Sequence, residues 1–584
     1  MSLAVRQETP ERAAVVQRLA AAAAWRTRSL EILCIGLLTV TLFVGLGSRP
    51  LSDPDEGRNG EVAQEMVRSG EFLEPHLDRL PYIDKPFVYF AVVAGSFELL
   101  GASEWAGRLP SALATLLTAL VTAGLARRLF GAGAGVPAAL ALLATPLTWI
   151  FGQLLILDAL FTLWVVGAIG SLYLAIEAAD AGRRRARLGW MLAGWGCVAL
   201  GVLTKGPVGL LLPLAACAPL ALRRRALAVL FDLRGVALAA ALIAPWVWLM
   251  ATRVPDYLHY VAVVETWRRV ATGALNRDRP FWYLPLLLVP GAFPASGIAI
   301  AAGWHAARSG RLRIDPRWLL IVSWILVPLV LFSLARSKMP QYVLPLIPAV
   351  ALAAAGVCSR ARDGALPGVR AASLAWILVG LAFAASPLVH PVRALSEPFR
   401  SQAHLAAAAA AVGAIAVGLY ALRGRLLGPR ALAIATLPLI VLYFAGQPIF
   451  AHALEHRSSV TLAAPIRAAL PPGGRLIGVS AYPQSLAFYL GRPIELASPD
   501  AFSLSSNYLI ATYGRWLGPD STLHPIEYWR SALAACDVPS IFIVRAPDSA
   551  AREVLRRAGL RALAADAHYA AYGPCRTPPA AQPR

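Results

Sequence analysis

Long apolar runs dominate this sequence and restrict what it can fold into. Thirteen runs of about 15 to 23 residues recur between residues 31 and 448, and a helix of that length matches the hydrocarbon thickness of a bilayer. Only 15% of the residues are charged. The sequence therefore predicts an α-helical polytopic membrane protein. The predicted spans are residues 31–47, 109–126, 136–152, 159–176, 189–204, 208–222, 235–251, 281–303, 318–334, 341–358, 373–390, 405–422 and 431–448.

The basic residues set the orientation of these spans. The formal net charge is +21, yet the arginines form short clusters between apolar runs rather than one basic face, which excludes a nucleic-acid partner. Clusters of this kind mark cytoplasmic loops. Thirteen spans then leave residues 1–30 in the cytoplasm and the C-terminus outside. No small-residue cleavage site follows an apolar core in residues 1–28, so the first run is expected to be a retained anchor.

One apolar segment, Phe87 to Gly101, is left out of this count. Treating it as a span would move every later arginine cluster outside, and it is short and carries Glu98. We therefore predict a juxtamembrane or re-entrant helix within a long external loop, residues 48–108. Together with the spans, this loop belongs to a predicted transmembrane catalytic region, residues 31–450.

The C-terminal part of the chain changes character. Segments such as "GRLIGVSA" and "SIFIVRAP" are typical of short strands, and residues 550–564 are typical of a helix. Residues 451–584 are therefore predicted to form a small external α/β domain. If that domain is external, Cys536 and Cys575 can form a disulfide, although the sequence leaves their pairing open.

Lysine is rare in this chain, and its positions are informative. Of 54 basic residues only Lys85, Lys205 and Lys338 are lysines, and all three lie on the external side of the predicted topology. A lysine binds phosphate as a compact point charge. The alternative is ordinary snorkelling toward lipid headgroups. Three lysines on one side, beside an acidic loop, favour a shared anionic ligand.

Carboxylates gather on the same side. The stretch "DPDEGRNGEVAQEM", from Asp53 to Met66, holds five of them, and Asp158 opens the fourth predicted span. Asp158 is either an acid facing a polar cavity or a first-turn acid stabilised by the helix dipole. Acids and cations beside lipid suit a sugar carried on a lipid phosphate. The cations would hold the phosphate as a leaving group, and one carboxylate would activate a hydroxyl or stabilise oxocarbenium charge.

Beyond these physical arguments, the sequence resembles a known family. "DPDEGRNGEVAQEMVRSGEFLEPHLDRLPYIDKP" resembles the first external loop of the aminoarabinose transferases, which are polyprenyl-phosphate-sugar glycosyltransferases of the C-type membrane fold related to protein O-mannosyltransferases. "LDALFTLW", "LTKGPVGLLLP", "ETWRRV" and "SKMPQYVLPLIPAVALA" follow in the same order. The resemblance covers roughly residues 31 to 360 and implies the same fold, with about 13 transmembrane helices and an external C-terminal domain.

The resemblance also implies roles for individual residues. Asp55 is similar to the catalytic carboxylate, with Asp158 as a second candidate. Substrate-binding roles are implied for ten further residues that hold the carrier phosphate or shape the site around it. These are Arg58, Glu61, Asp84, Lys85, Lys205, Glu265, Arg268, Arg269, Lys338 and Tyr342.

Three departures from the family pattern bear on the site. The residue before Lys85 is usually Glu and is Asp84 here, and a His often follows the residue matching Glu265 where this chain has Thr266. In relatives that Glu and His can hold a divalent metal, so metal binding is left open here, with Asp84 and Glu265 as candidate ligands. Asn59 replaces an aromatic residue, which indicates a different sugar or acceptor pocket.

The function that follows is inverting transfer of a single sugar. The donor would be a polyprenyl-phosphate carrier such as undecaprenyl phosphate, and the acceptor an external lipid A-type glycolipid, envelope polymer or protein. We expect the enzyme in the bacterial inner membrane, with its active site and C-terminal domain on the periplasmic side. Two alternatives are a lipid-linked sugar flippase or transporter, whose charged residues would line a substrate path, and a non-catalytic relative that binds carrier lipid.

Overall fold

A computed structural model describes residues 28–268, 278–309, 315–360, 369–385, 399–422 and 430–575. Most of the chain up to residue 469 is helical, and a small sheet follows. The membrane region contains long apolar helices with short helices between them. They span residues 28–43, Glu104–Phe130, Gly135–Leu143, Pro146–Gly152, Asp158–Asp180, Arg184–Lys205, Val208–Arg223, Leu227–Leu230, Leu233–Arg253, Tyr283–Gly291, Ala295–Arg308, Pro316–Leu334, Ile347–Arg360, Val369–Ala385, Phe399–Leu422 and Arg430–Glu455.

These helices confirm a polytopic membrane protein. Within the described ranges, eight are long and apolar enough to cross a bilayer, or up to ten if each of two bent helix pairs is one span. The pairs bend by 68° at residues 144–145 and by 107° at residues 292–294. All thirteen predicted runs fall on helices in whole or in large part, but several helices are short, such as Val208–Arg223 with Pro213 and Pro219 inside it. The count of thirteen spans therefore stays a prediction.

The predicted first external loop, residues 48–108, carries two helices and a hairpin. The helix Asp55–Ser69, called here the acidic helix, begins with Asp55 and Glu56, whose charges favour a helix N-terminus, and ends at Gly70 with a φ of +75°. Strands β1 (His76–Leu77) and β2 (Leu80–Pro81) form the hairpin. The segment left out of the span count forms the helix Val88–Leu100, whose 13 residues are too few to cross a bilayer.

The C-terminal region contains a six-stranded mixed sheet in the order β5-β4-β3-β6-β8-β7. The strands β5, β4, β3 and β6 run parallel, and β8 and β7 are antiparallel to their neighbours. Strand bounds are β3 Arg475–Val479, β4 Glu495–Ala497, β5 Leu523–His524, β6 Ser540–Arg545, β7 Ala562–Ala565 and β8 Tyr569–Tyr572. The main connecting helices are Val460–Ala469, Gln484–Leu490, Asn507–Ala511, Tyr528–Ala535 and Ser549–Arg557. Cys536 and Cys575 form a disulfide.

The sheet region rests directly on the first external loop. The carboxylate of Asp53 accepts hydrogen bonds from the backbone N–H (2.6 Å) and the hydroxyl (2.8 Å) of Ser485. Asp78, at the turn of the β1–β2 hairpin, accepts one from the backbone N–H of Ile494 (2.8 Å). Residues more than 400 positions apart in sequence thus form one continuous structure. The external location of this structure and the domain boundary at residue 451 remain predictions.

Candidate active site

The acidic helix presents Asp55 and Arg58 on the same side, because residues three positions apart are neighbours on a helix. One Arg58 Nη lies 2.6 Å from Asp55 Oδ1, and the other donates to the backbone oxygen of Ser505 at 3.0 Å. The Asp55 side chain remains 47% exposed, whereas that of Arg58 is 13% exposed. This geometry leaves a carboxylate open to a ligand beside a cation that is held in place.

Lys85 contacts one carboxylate and one backbone carbonyl. Its Nζ is 2.5 Å from Glu265 Oε1 and also donates to the backbone oxygen of Asp84. The Asp84 carboxylate does not contact Lys85; it accepts hydrogen bonds from the Tyr260 hydroxyl (2.6 Å) and from the backbone N–H groups of Asn507 (2.7 Å) and Tyr508 (2.9 Å). An ammonium has three N–H donors, and two are used by these contacts.

Tyr82 lies beside Arg58 and near the charges of Asp84 and Glu265. The Arg58 guanidinium lies 5.8 Å from the centre of the Tyr82 ring, a cation–π contact. Burial raises the pKa of the Tyr82 phenol, and the charges of Asp84, Asp55 and Glu265 add to that rise against the opposing effect of Arg58. Tyr82 therefore stays a neutral hydroxyl among ions. We call Asp55, Arg58, Tyr82, Asp84, Lys85 and Glu265 the loop cluster.

A second cluster lies at the ends of the membrane helices. Lys205, the last residue of Arg184–Lys205, forms an ion pair with Asp158, the first residue of Asp158–Asp180. The Lys205 ammonium also lies 5.2 Å from the Tyr342 ring and 5.0 Å from the Phe161 ring. Asp158 therefore occupies a first-turn position and contacts a cation, and the interpretation that it faces a polar cavity stays a prediction. We call Asp158, Lys205 and Tyr342 the span-end cluster.

Buried contacts join the two clusters. Asn59 donates to the backbone oxygen of Leu155 (2.9 Å), and Glu56 accepts from the backbone N–H of Leu155 (2.9 Å), three residues before Asp158. Asn59 is thus buried and bonded to the backbone, and the different sugar or acceptor pocket expected from its departure from the family pattern stays a prediction. The acidic helix and the start of Asp158–Asp180 are fixed relative to each other.

Glu56, the neighbour of Asp55, belongs to a structural ion network. Both of its carboxylate oxygens accept from Arg108, at 2.7 and 3.0 Å, and Arg108 also donates to the backbone oxygens of Leu46, Arg49 and Pro50. Burial alone would raise the pKa of Glu56, but Arg108 lowers it to about 2. Glu56 therefore stays charged and paired, and it anchors the loop to the membrane helix Glu104–Phe130.

Two predicted site residues lie outside both clusters. The Lys338 ammonium donates to the backbone oxygens of Arg279 (2.8 Å) and Ala335, and it joins two loops. Glu61 forms an ion pair with Arg68 at 2.5 Å on another face of the acidic helix. Burial raises the pKa of Glu61 to about 7. Arg269 and the side chain of Arg268 fall outside the described residues.

The candidate metal ligands do not fit a metal site as they stand. Asp84 uses both carboxylate oxygens for the three hydrogen bonds described above, and Glu265 pairs with Lys85 through one oxygen and accepts from the Asn507 amide (3.3 Å) through the other. Across the part of the chain that the structure describes, no group of three or more His, Cys, Asp or Glu residues is placed to hold a metal ion. No step in the chemistry below is assigned to a metal.

Several residues of the site escaped sequence reasoning. Ser505, Asn507 and Tyr508 contact Arg58, Glu265 and Asp84 from the C-terminal region, largely through backbone groups, and Tyr260 packs edge-on against Tyr508 with ring centres 5.2 Å apart. A search for charged side chains cannot find backbone donors. Tyr82 carried a signal, because it lies in the "PYIDKP" motif that contributed Asp84 and Lys85.

Known proteins share this arrangement of elements. The sequence profile of the dolichyl-phosphate-mannose-protein mannosyltransferase family matches residues 84–249. The undecaprenyl phosphate-alpha-4-amino-4-deoxy-L-arabinose arabinosyl transferase of Edwardsiella ictaluri is 34% identical over 406 residues, covering 67% of this chain and 70% of that protein. The chain belongs to the aminoarabinose transferase family.

Further relatives agree with this assignment. The enzyme of the same name from Pseudomonas aeruginosa strain UCBPP-PA14 is 34% identical over 387 residues, covering 64% of this chain and 68% of that protein. The crystal structure of ArnT from Cupriavidus metallidurans bound to undecaprenyl phosphate superposes with a TM-score of 0.77 at 26% identity, covering 93% of this chain and 97% of that one. The predicted C-type glycosyltransferase fold and membrane glycosyltransferase activity are confirmed, and the flippase alternative receives no support.

Proposed function

We propose that this enzyme transfers one sugar from a polyprenyl-phosphate carrier to an external acceptor, with inversion at the anomeric carbon. The observation that carries the proposal is the loop cluster, in which a half-exposed Asp55 lies beside Arg58. Arg58 in turn lies near enough to Asp84, the sequence neighbour of Lys85, for that carboxylate to raise its pKa. The relatives named above support undecaprenyl phosphate as the carrier. Their names point to 4-amino-4-deoxy-L-arabinose as one donor sugar to test.

The cations supply leaving-group stabilisation. As the bond between the anomeric carbon and the phosphate oxygen breaks, negative charge develops on the polyprenyl phosphate. Lys85 and Arg58 are placed to receive that charge from the loop, and Lys205 from the span ends. Burial opposes the charge of Arg58, but the carboxylates of Asp55 and Asp84 raise the pKa of its guanidinium, so it stays cationic.

Asp55 acts on the acceptor. The acceptor oxygen attacks the anomeric carbon from the face opposite the phosphate, a new carbon–oxygen bond forms, and the carrier leaves as polyprenyl phosphate. A hydroxyl acceptor must lose its proton, and Asp55 takes it as a general base. A phosphate acceptor is already a nucleophile and requires only that Asp55 orient it. The exposed carboxylate of Asp55 suits both a hydroxyl and a phosphate acceptor. The acceptor molecule is a lipid A-type glycolipid, an envelope polymer or a protein.

Asp158 and Tyr342 complete the proposed site through Lys205. Asp158 lies beside the Lys205 ammonium, and the Tyr342 ring covers it. Because an ion pair limits where a flexible lysine can point, we assign to these residues the positioning of Lys205 toward the carrier phosphate. Glu265 does the same for Lys85.

The positions of the two clusters support a site at the membrane surface. The loop cluster lies on elements between the first and second predicted spans, and the span-end cluster lies at helix ends that the positive-inside rule places on the same side. We propose that this side is the periplasmic face of the bacterial inner membrane, and that residues 451–584 lie there as an external domain.

The test is sugar transfer by the purified full chain in proteoliposomes. Undecaprenyl-phosphate sugars, including the aminoarabinose donor, and labelled envelope acceptors are supplied, and products are identified by mass spectrometry. We expect transfer by the wild type and its loss in Asp55→Asn and Lys85→Met. Glu553→Gln, on the exposed side of the distant helix Ser549–Arg557, is the matched control. Movement of donor lipid across the bilayer with no new glycosidic bond on any acceptor would refute the proposal.

A further inference from the structure

A second cleft lies between the first external loop and the C-terminal sheet. Its volume is about 920 Å³, within the range of small-ligand sites, and its lining is predominantly polar. The acidic helix and the β1–β2 hairpin contribute one side, including Glu61 and Asp78. The sheet region contributes the other, including Arg475, Arg492 and Tyr528. None of the residues in the two clusters of the proposed active site lines it.

The cleft lies on a different face of the acidic helix from Asp55. Glu61 follows Asp55 by six positions, which is a rotation of about 240° around a helix of 3.6 residues per turn. A ligand in this cleft therefore does not contact Asp55 directly. Any role in transfer would be to hold a part of the acceptor that lies away from the reacting atoms.

Two acids that line the cleft have unused hydrogen-bonding capacity. Glu61 and Asp78 are each only 2% exposed. One oxygen of Glu61 binds Arg68 and one oxygen of Asp78 accepts from Ile494, but the second oxygen of each has no hydrogen-bond partner among the described residues. A buried carboxyl oxygen without a partner is costly, so such groups call for a hydrogen-bonding partner that the protein does not supply.

The charges of the lining select the kind of ligand. Among the described residues, four arginines and five carboxylates line the cleft. An anionic ligand would meet the carboxylates, and a cationic ligand would meet the arginines. A hydroxyl both donates and accepts, so it can bind either group without carrying charge. The ring of Tyr528, stacked on His524 with centres 3.8 Å apart, adds an aromatic surface with a polar end.

We propose that this cleft is a second, non-catalytic binding site for a neutral, hydroxyl-rich saccharide, which holds the glycan portion of the acceptor. The binding part of the proposal stands alone, and its link to the acceptor rests on the proposed function.

Direct binding tests the site without requiring transfer. The full chain is purified in a detergent without a sugar headgroup. Maltotetraose, isomaltotetraose, chitotetraose and galactotetraose are then measured one at a time by saturation-transfer-difference NMR and isothermal titration. We expect at least one to bind to the wild type. No binding by any of the four, or displacement by inorganic phosphate alone, would overturn the proposal.

Two variants locate the site. Asp78→Gly removes one acid at a position with a φ of +58°, where glycine is tolerated, and Arg492→Ala removes a donor on the other side of the cleft. Each is expected to weaken saccharide binding about tenfold or more, since each removes a charged hydrogen-bonding partner. Glu553→Gln is the control. If both variants fold, by melting temperature and gel filtration, and bind as the wild type does, the assignment is wrong.

Transfer kinetics then test the link to the acceptor. With a long glycan acceptor, Asp78→Gly and Arg492→Ala should raise KM about tenfold and leave kcat near the wild-type value, whereas a truncated acceptor should show no change in KM. Saccharide binding without any effect on KM would overturn the acceptor role alone. Absence of transfer by the wild type would count against the proposed function and leave the binding result intact.

Discussion

Asp55 and Glu56 are adjacent in sequence and begin the same helix, yet their surroundings are opposite. The Asp55 side chain is 47% exposed and has one arginine beside it. Glu56 is 1% exposed, and Arg108, Ser52 and the backbone of Leu155 occupy its oxygens. An acid saturated by the protein can only support structure, whereas an acid left open can bind a ligand. The acidic stretch thus separates into an anchor and a candidate reacting group.

The largest effect should come from breaking the anchor. Arg108→Ala leaves the buried Glu56 charge unpaired, which costs about 3–5 kcal/mol. We expect little folded protein, measured as the yield of monodisperse protein from gel filtration. Replacement of the exposed Arg556, which pairs with Glu553 on the surface, is the matched control and should cost less than about 1 kcal/mol. Normal yield and melting temperature for Arg108→Ala would contradict the anchor role.

The opposite result is expected at Asp55. Asp55→Asn preserves size and removes the negative charge, so we expect about 10²- to 10⁴-fold lower kcat with a hydroxyl acceptor. The melting temperature should stay within a degree or two of the wild type, because the side chain is half exposed. Equal kcat in the two proteins would remove Asp55 from the chemistry. An equal loss of folded protein in Asp55→Asn and Arg108→Ala would erase the distinction between the two acids.

Two lysines extend the comparison to the cations. Lys85 is held by Glu265 beside Asp84, whereas Lys338 is fixed by two backbone oxygens. We expect Lys85→Met to lower kcat about 10²- to 10³-fold, as loss of a transition-state charge partner does. Lys338→Met should mainly lower the melting temperature. The measurement is the initial rate of transfer per folded molecule. If Lys338→Met lowers this rate more than Lys85→Met does, Lys338 belongs to the phosphate site.

Asn507 tests whether the C-terminal region positions the loop cluster. Its amide donates to Glu265 at 3.3 Å, and Glu265 holds Lys85. Asn507→Ala removes one hydrogen bond to a charged group and keeps the backbone contact to Asp84, so about a tenfold rise in KM for the donor is expected. Asn507→Gln, which keeps the amide, should recover part of that affinity. Unchanged KM in Asn507→Ala would limit the region to a structural role.

The smallest effect concerns pH and Glu61. Burial raises the pKa of Glu61 to about 7 from the ordinary value of 4.5, so the folded state favours the protonated form. Stability from this group is full below pH 4.5 and is lost as the pH rises through 7. The melting temperature of Glu61→Gln should therefore fall less between pH 5.5 and pH 8 than that of the wild type. Parallel melting curves for the two proteins would show that Glu61 is not titrating in this range.

The sequence predicts those features of the protein that depend on a local pattern of residues, such as an apolar run or a short motif. Apolar runs of bilayer length fixed the membrane class, and the motif around Asp55, Arg58 and Lys85 led to the family. Charge bias and length, rather than hydropathy, predict that the segment around Val88–Leu100 is not a membrane span. The helix has 13 residues, which agrees with that prediction. The role assigned to Lys338 rested on charge and position alone, and the structure places it among backbone carbonyls.

What the sequence by itself determined is the chemical inventory, because residue type and helical spacing are local properties. Tertiary structure decided which of those residues are open to a ligand. Glu56 and Asp55 are both carboxylates at the start of one helix, and what packs against each decides which is open. Asp84 is satisfied by Asn507 and Tyr508, more than 400 residues away along the chain. Those long-range partners are backbone N–H groups, which every residue but proline carries, so no sequence pattern marks them.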